Sequence, residues 1–223
     1  MSLASTALRK EILYYCRESV AVGLNFNTQG NISVRLRGVL EGGRDAIVIT
    51  PSDVRYDALR PEDMIVTDMD GNIIEESELP GALPSTELPV HLAHYAARDD
   101  INAIVHTEST FVNVLGSLDK QIDPVLLNMV LYAKGPVQIM PFEFSTNREF
   151  GERSAALLGQ KVNAVCWGNH GLMAVGTSLK LAFKVAVAVE ENAEVIHLAR
   201  MAGGTPNTLV YEDIKVPEGA RLP

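Results

Sequence analysis

Three side chains with the chemistry of metal ligands are His106, Glu108 and His170. His106 and Glu108 stand two residues apart on a strand-like segment, so their side chains point to the same face of a sheet. His170 lies in a turn flanked by glycines. Two imidazoles and one carboxylate can hold a catalytic zinc ion and leave one position for substrate. The spacing alone equally allows a satisfied buried histidine, a helix N-terminal acid and an exposed turn residue.

A second group consists of Glu87, His91 and His94. Glu87 and His91 are one helical turn apart, and His94 falls on a neighbouring face of the same predicted helix. The three side chains could bind a metal ion together. A glutamate in the first turn followed by packed or surface histidines is the more common arrangement, so both interpretations stay open.

Three polar turns could bind an anion without a lysine, because hydroxyls, amides and backbone N–H groups at turns and helix starts are suitable donors. They are Thr28-Gln29-Gly30-Asn31, Thr50-Pro51-Ser52-Asp53 and Pro84-Ser85-Thr86. Each of these sequences is also common as a plain turn or helix cap. Spacing alone does not decide between the two.

The elements that position these residues follow from hydrophobic periodicity. A first helix carries Leu8, Ile12, Cys16 and Val20 on one face, after Ser5 or Thr6 as its cap. Strands are predicted at 32–36, 46–50, 64–67, 73–74, 103–106, 137–140, 162–167 and 172–175. Further helices are predicted from 85 or 86 to about 98, and at 111–118, 147–158 and 179–201. No linker or composition shift divides the chain, so a single α/β domain over 1–223 is expected.

Composition narrows the class of protein. The chain has 223 residues and 47% hydrophobic content, and its 28 acidic residues against 19 basic ones give a formal net charge of -9. This charge opposes binding to nucleic acid. We expect neither a signal peptide nor a membrane span. Cys16 and Cys166 each lie in an apolar pattern, which indicates two buried thiols in a reducing compartment and therefore a cytoplasmic protein.

The order of five motifs resembles that of the class II aldolase/adducin family, from the first helix to about Met201. The motifs are Gly30-Asn31-Ile32-Ser33-Val34-Arg35, Ile49-Thr50-Pro51-Ser52, Pro84-Ser85-Thr86-Glu87, Val105-His106-Thr107-Glu108 and Asn169-His170-Gly171-Leu172. The resemblance implies a three-layer α/β/α fold with a mostly antiparallel central sheet. It also implies a homotetramer with active sites near the subunit interfaces.

The resemblance assigns a role to each motif. It implies a divalent metal at His106, Glu108 and His170, with Glu87 as the acid/base. It implies a phosphate or substrate cradle with the residues Gly30, Asn31, Ser52, Asp53, Ser85 and Thr86.

Two of these positions depart from the family pattern. Glu108 replaces a histidine, and because a carboxylate cancels more of the ion's charge than an imidazole, Mn²⁺ or Mg²⁺ remain open beside Zn²⁺. Asp53 replaces a glycine and would repel a phosphate dianion if it faces the cradle, so a non-phosphorylated hydroxy or oxo acid is a competing substrate.

The function implied by the resemblance is that of a metal-dependent aldolase, a carbon–carbon lyase. It would cleave a small hydroxy-carbonyl or sugar-phosphate substrate through a metal-stabilised enediolate, with Glu87 transferring the proton. Decarboxylation or dehydration at the same site is an alternative. A non-catalytic adducin-like domain is another, motivated by Glu108.

Overall fold

The computed structural model describes residues 2–118, 120–144, 146–210 and 214. Within these residues, nine strands form one sheet. The strands are β1 (Asn31–Leu40), β2 (Arg44–Ile49), β3 (Ile65–Asp68), β4 (Ile73–Glu75), β5 (Ala103–Thr107), β6 (Gln121–Ile122), β7 (Val137–Met140), β8 (Ala164–Trp167) and β9 (Gly171–Gly176).

The order of the strands across the sheet places β5 in the middle. The order is β4-β3-β2-β1-β5-β9-β8-β7-β6. Neighbouring strands are antiparallel except β7 and β8, which are parallel. The prediction of a mostly antiparallel sheet is therefore confirmed. The pairing also brings the segment that holds His106 beside both Asn31 on β1 and Met173 on β9.

Helices cover both faces of the sheet and give three layers. The helices are α1 (Thr6–Ala21), α2 (Leu88–Ala97), α3 (Thr110–Gly116), α4 (Leu127–Ala133), α5 (Arg148–Leu158) and α6 (Leu179–Met201). Each face of the sheet has its own hydrophobic core. One contains side chains of α2 and α5, such as Tyr95 and Phe150, and the other contains side chains of α1, α3, α4 and α6. This is the predicted α/β/α fold.

Capping and periodicity explain where the longer helices begin. The side chains of Ser5, Asn147 and Ser178 each accept a backbone N–H at the start of α1, α5 and α6. The predicted bounds of α6 are those observed. Val20, predicted on the apolar face of α1, is instead 42% exposed, in the last turn of a helix that ends at Ala21.

Among the α-helices and strands, two elements were not predicted. Helix α4 has seven residues and a nearly continuous apolar sequence, so it is too short for a helical period to show. Strand β6 has two residues. Both cysteines are buried and free, as predicted. None of the helices in the described part of the chain combines the length and apolar character needed to cross a membrane. The single domain over 1–223 stays a prediction, since residues 211–213 and 215–223 lie outside the described residues.

Candidate metal centre

The carboxylate of Glu87 lies between two imidazoles. Its Oε2 is 3.2 Å from Nε2 of His106, and its Oε1 is 3.1 Å from Nε2 of His170. The Asn31 amide donates to Oε2 at 2.8 Å. Glu87 directly precedes α2, so the helix start fixes the position of its backbone. The side chain is 9% exposed, and a group this buried requires such partners.

His106 presents a free ring nitrogen to this cluster. Its Nδ1 is 3.0 Å from the carbonyl of Leu172 on the neighbouring strand β9. A hydrogen on Nδ1 donates there, which leaves the lone pair of Nε2 directed at Glu87. Nε2 is buried and makes no hydrogen bond of good geometry. Burial lowers the pKa of His106 and outweighs the opposing charge of Glu87, so the imidazole is neutral and able to bind a metal.

His170 comes from a tight turn between β8 and β9. Asn169 adopts a left-handed φ of 59° there, and the His170 N–H donates to the carbonyl of Trp167 at 3.0 Å. Burial disfavours protonation of His170, but the hydrogen bond to Glu87 and its charge outweigh burial and raise the pKa. Gly171 lets the turn approach β5, because a Cβ at that position would lie 3.1 Å from Cε1 of His106 and would overlap the Thr107 carbonyl.

These three groups fit a divalent cation. One ligand atom each from Glu87, His106 and His170 lie within 4.8 Å of one another. The set offers two imidazole nitrogens and one carboxylate oxygen, which suit a catalytic zinc site or a related ion. Burial alone would raise the pKa of Glu87, but His106, His170 and Asn31 outweigh it and hold that pKa well below its usual range. The carboxylate is therefore ionised.

Glu108 lies beside this cluster without belonging to it. Its backbone N–H donates to the Asn25 side chain at 3.0 Å, and its charge acts to raise the pKa of both His106 and His170. It does not cap α3 either. That helix is capped by Glu190 of α6, whose two carboxylate oxygens accept the N–H groups that follow Thr110 at 2.9 and 2.8 Å. The structure thus brings Glu87, rather than Glu108, to the two imidazoles.

His91 and His94 face into the core. His91 Nδ1 is 2.7 Å from the Ser33 hydroxyl, which is 2.8 Å from the Tyr95 hydroxyl. His94 Nδ1 is 2.9 Å from the carbonyl of Val90. Burial lowers the pKa of His91 to about 3 and that of His94 to about 4. In the described part of the chain, neither histidine joins the three-group cluster, so packed histidines describe this group better than a second metal pair.

The predicted anion turns meet beside Glu87. Ser85 N–H donates to the carbonyl of Thr50, and Ser52 N–H donates to that of Leu83. Gly30, with a φ of 72°, packs so tightly on Asn25 that a Cβ would be 2.5 Å from its amide. The remaining predicted cradle residues differ in exposure: Asn31 and Ser85 are buried, and Thr86 and Asp53 are exposed.

Asp53 has a left-handed backbone. Its φ is 55°, in the region that favours glycine. The backbone of this turn is thus compatible with the glycine that the family pattern has there. Asp53 adopts it because a short polar side chain tolerates this conformation better than most.

Several residues around the metal centre were not predicted from the sequence. Asn25 supports Glu108, the Asn113 amide donates to the His170 carbonyl at 3.1 Å, and Glu190 fixes α3. Trp167 contacts both imidazoles. Asn25 lies in the loop before the first motif, and Asn113 and Glu190 lie on α3 and α6, so only the fold brings them there. Trp167 alone carried a signal, since it stands three residues before His170.

Comparison with known proteins agrees with this geometry. Residues 10–197 match the family described as Class II Aldolase and Adducin N-terminal domain. A 5-deoxy-D-ribulose 1-phosphate aldolase of Bacillus thuringiensis is 33% identical over 87% of this chain and 86% of its own length. A 5-methylthioribulose-1-phosphate/5-deoxyribulose-1-phosphate aldolase of Rhodospirillum rubrum is 36% identical over 84% and 79%.

The fold is shared with a solved L-fuculose 1-phosphate aldolase. The two structures superpose with a TM-score of 0.83 at 30% identity, over 94% of this chain and 93% of the other. The chain belongs to the class II aldolase/adducin family. The predicted family, fold and aldolase-type lyase activity are thereby confirmed.

Proposed function

We propose that this protein cleaves a ketose 1-phosphate with a short or apolar end, of which 5-deoxyribulose 1-phosphate is the first candidate. The observation that carries the proposal is the contact of one Glu87 carboxylate with both His106 and His170. The names of two relatives that are 33% and 36% identical support this substrate class. Cleavage between C3 and C4 of that compound gives dihydroxyacetone phosphate and acetaldehyde.

His106 and His170 hold the ion in this proposal. The Leu172 carbonyl fixes the tautomer of His106 that leaves Nε2 free. A bound divalent ion would polarise the substrate carbonyl and stabilise the negative charge that develops during cleavage. Zn²⁺ is the first choice for this ligand set, and Mn²⁺ or Mg²⁺ become better choices if a second carboxylate also binds.

Glu87 and Glu108 divide two tasks. Glu87 touches both imidazoles and has the acid/base role in this proposal. Glu108 is close enough to influence both imidazoles electrostatically. When Glu108 takes the third ligand position, as the sequence predicts, the Glu87 carboxylate is left to transfer the proton at C3 of the substrate.

The substrate phosphate is placed at the turns beside Glu87. Gly30, Asn31, Ser52, Ser85 and Thr86 would bind it through amides, hydroxyls and backbone N–H groups, with Asp53 at the rim. The hydrogen bonds between the 50–52 and 83–85 segments support this placement, since they hold the two turns side by side. The proposal also includes a homotetramer, which the family resemblance supports. It includes a cytoplasmic location, which the two buried free thiols support.

The test is product analysis with metal-replete protein and 5-deoxyribulose 1-phosphate. We expect dihydroxyacetone phosphate and acetaldehyde, and a loss of about 10²-fold to 10⁴-fold in kcat for Glu87→Gln with the metal retained. Glu152→Gln, at an exposed ion pair with Arg148, is the matched control and should keep full activity. A keto product of water loss would replace cleavage by dehydration, and release of CO₂ from a 2-hydroxy-3-oxo acid in a parallel assay would replace it by decarboxylation. Absence of bound metal would favour a non-catalytic domain.

A further inference from the structure

An indole lies against both imidazoles of the metal centre. The ring centroid of Trp167 is 4.8 Å from that of His106 and 5.2 Å from that of His170. The interplanar angles are 30° and 53°. Trp167 is 1% exposed at the end of β8. One rigid ring therefore contacts two ligand side chains that are 64 residues apart in sequence.

The indole is itself held in place by two further side chains. Its Nε1–H donates to the Ser154 hydroxyl on α5 at 2.7 Å. Ser154 lies 3.3 Å from Nε2 of His94 on α2. Since His94 Nδ1–H donates to the carbonyl of Val90, Nε2 carries a lone pair and accepts the Ser154 hydroxyl hydrogen. Each hydrogen bond in this series, from α2 to the indole, therefore has one donor and one acceptor.

The two imidazoles differ in how firmly groups other than the indole fix them. His106 is already fixed at Nδ1 by Leu172. His170 sits on a turn with its side chain 22% exposed, and Glu87 is its polar ring contact in the metal centre. A rigid ring in contact with both imidazoles leaves each less room to tilt, and both Nε2 atoms lie within 3.2 Å of Glu87. Partners of this kind set the orientation of metal ligands and thus their affinity.

We propose that Trp167 is a positioning residue of the metal centre, fixed by Ser154 and His94, which sets the orientation of His106 and His170. The inference rests on the proposed function, because it assumes that these two histidines hold an ion. It also gives His94 a role, as the last acceptor in the chain that fixes the indole.

The test compares metal affinity in variants of similar stability. Trp167→Leu removes the aromatic face, and Trp167→Phe keeps a ring but loses the bond to Ser154. Phe150→Leu is the matched control, because Phe150 packs on the indole at 5.2 Å and, among the ring pairs of the described residues, contacts neither imidazole. Zn²⁺ affinity is measured by competition with a chromophoric chelator, and unfolding midpoints are measured alongside.

We expect Trp167→Leu to weaken Zn²⁺ binding about 10-fold to 100-fold, with smaller losses for Trp167→Phe and Ser154→Ala and none for Phe150→Leu. If Trp167→Leu does not fold, Trp167→Phe and Ser154→Ala carry the comparison. Equal affinity in the wild type and the Trp167 and Ser154 variants would overturn the inference and leave the proposed function intact. A wild type that binds no ion would overturn both.

The chain contains one tryptophan, so its fluorescence reports this position alone. Co²⁺, which has an open d shell, should quench the wild-type emission stoichiometrically, whereas the filled shell of Zn²⁺ should reverse that quenching by displacement. His106→Ala should abolish the Co²⁺ response. Quenching that persists in His106→Ala at the same Co²⁺ concentration would place the ion elsewhere and contradict the inference.

Discussion

Glu87 and His106 are joined across two layers of the fold, with Oε2 of the carboxylate 3.2 Å from Nε2 of the imidazole. Glu87 stands at the start of a helix, whereas His106 stands on the central strand of the sheet. The helix start supplies the acid, and the strand supplies an imidazole whose other nitrogen is already bonded to the next strand. Neither element could form this contact alone.

Replacing His106 or His170 by Ala should remove bound metal and activity while the protein stays folded. The reason is that each variant leaves too few ligand atoms in the cluster to hold a divalent ion. Elemental analysis measures the bound metal, and far-UV circular dichroism shows whether the variants stay folded. His197→Ala, at a histidine outside the cluster that packs on Phe111, is the control. Full metal retention in both cluster variants would rule out the site.

Glu108→His should shift the metal preference toward Zn²⁺. A third imidazole would replace a charged carboxylate and leave the ion more strongly Lewis acidic. Competition between Mn²⁺ and Zn²⁺ in the wild type and the variant measures the shift. An unchanged preference would mean that Glu108 influences the centre through its charge and does not bind the ion.

Asp53→Gly should lower KM for a phosphorylated substrate and leave kcat near the wild-type value. The substitution removes a negative charge from the anion turn and fits the left-handed backbone. Its effect on the free energy of unfolding should stay within about 1 kcal/mol, because glycine also gains freedom in the unfolded chain. Asp53→Asn is the matched control for charge. If KM falls in Asp53→Gly but not in Asp53→Asn, charge repulsion is not the cause.

Acid should destabilise the protein partly through His91. Its pKa is about 3 in the folded chain, because burial disfavours the charged form, and about 6.5 when unfolded. Between these pH values the unfolded chain binds the extra proton, so the free energy of unfolding falls as pH falls, by up to about 1.4 kcal/mol per pH unit for this group. His91→Gln should reduce that slope by the same amount. If the free energy of unfolding changes equally with pH in the wild type and the variant between about pH 4 and 6.5, the low folded-state pKa of His91 is wrong.

Part of the metal centre was predictable from the sequence. His106 lies on β5 as the pattern predicted, whereas Glu108 follows the end of that strand at Thr107, so the period of a strand does not extend to it. His170 stood out because glycines surround it. Local pattern could not show that Glu87, rather than Glu108, would meet both imidazoles, because this depends on how α2 lies over β5.

The secondary structure was also only partly predictable from the sequence. Long elements such as α6 show their period over many turns, whereas α4 and β6 are shorter than the windows in which a period appears. Strand order depends on pairings between distant segments and was not predicted; the resemblance to the family supplied only the three layers and the mostly antiparallel sheet. Contacts such as the Glu190 cap of α3 escaped because they join residues nearly 80 positions apart.

The place of β5 at the centre of the sheet bears on how fast an ion can exchange. Four strands flank it on each side, so the backbone around His106 cannot fray without breaking most of the sheet. The turn that holds His170, whose side chain is 22% exposed, is the segment of the centre that can open locally. Ion release should therefore begin with loss of the contact to His170, and His106 should be the last ligand to dissociate from the ion.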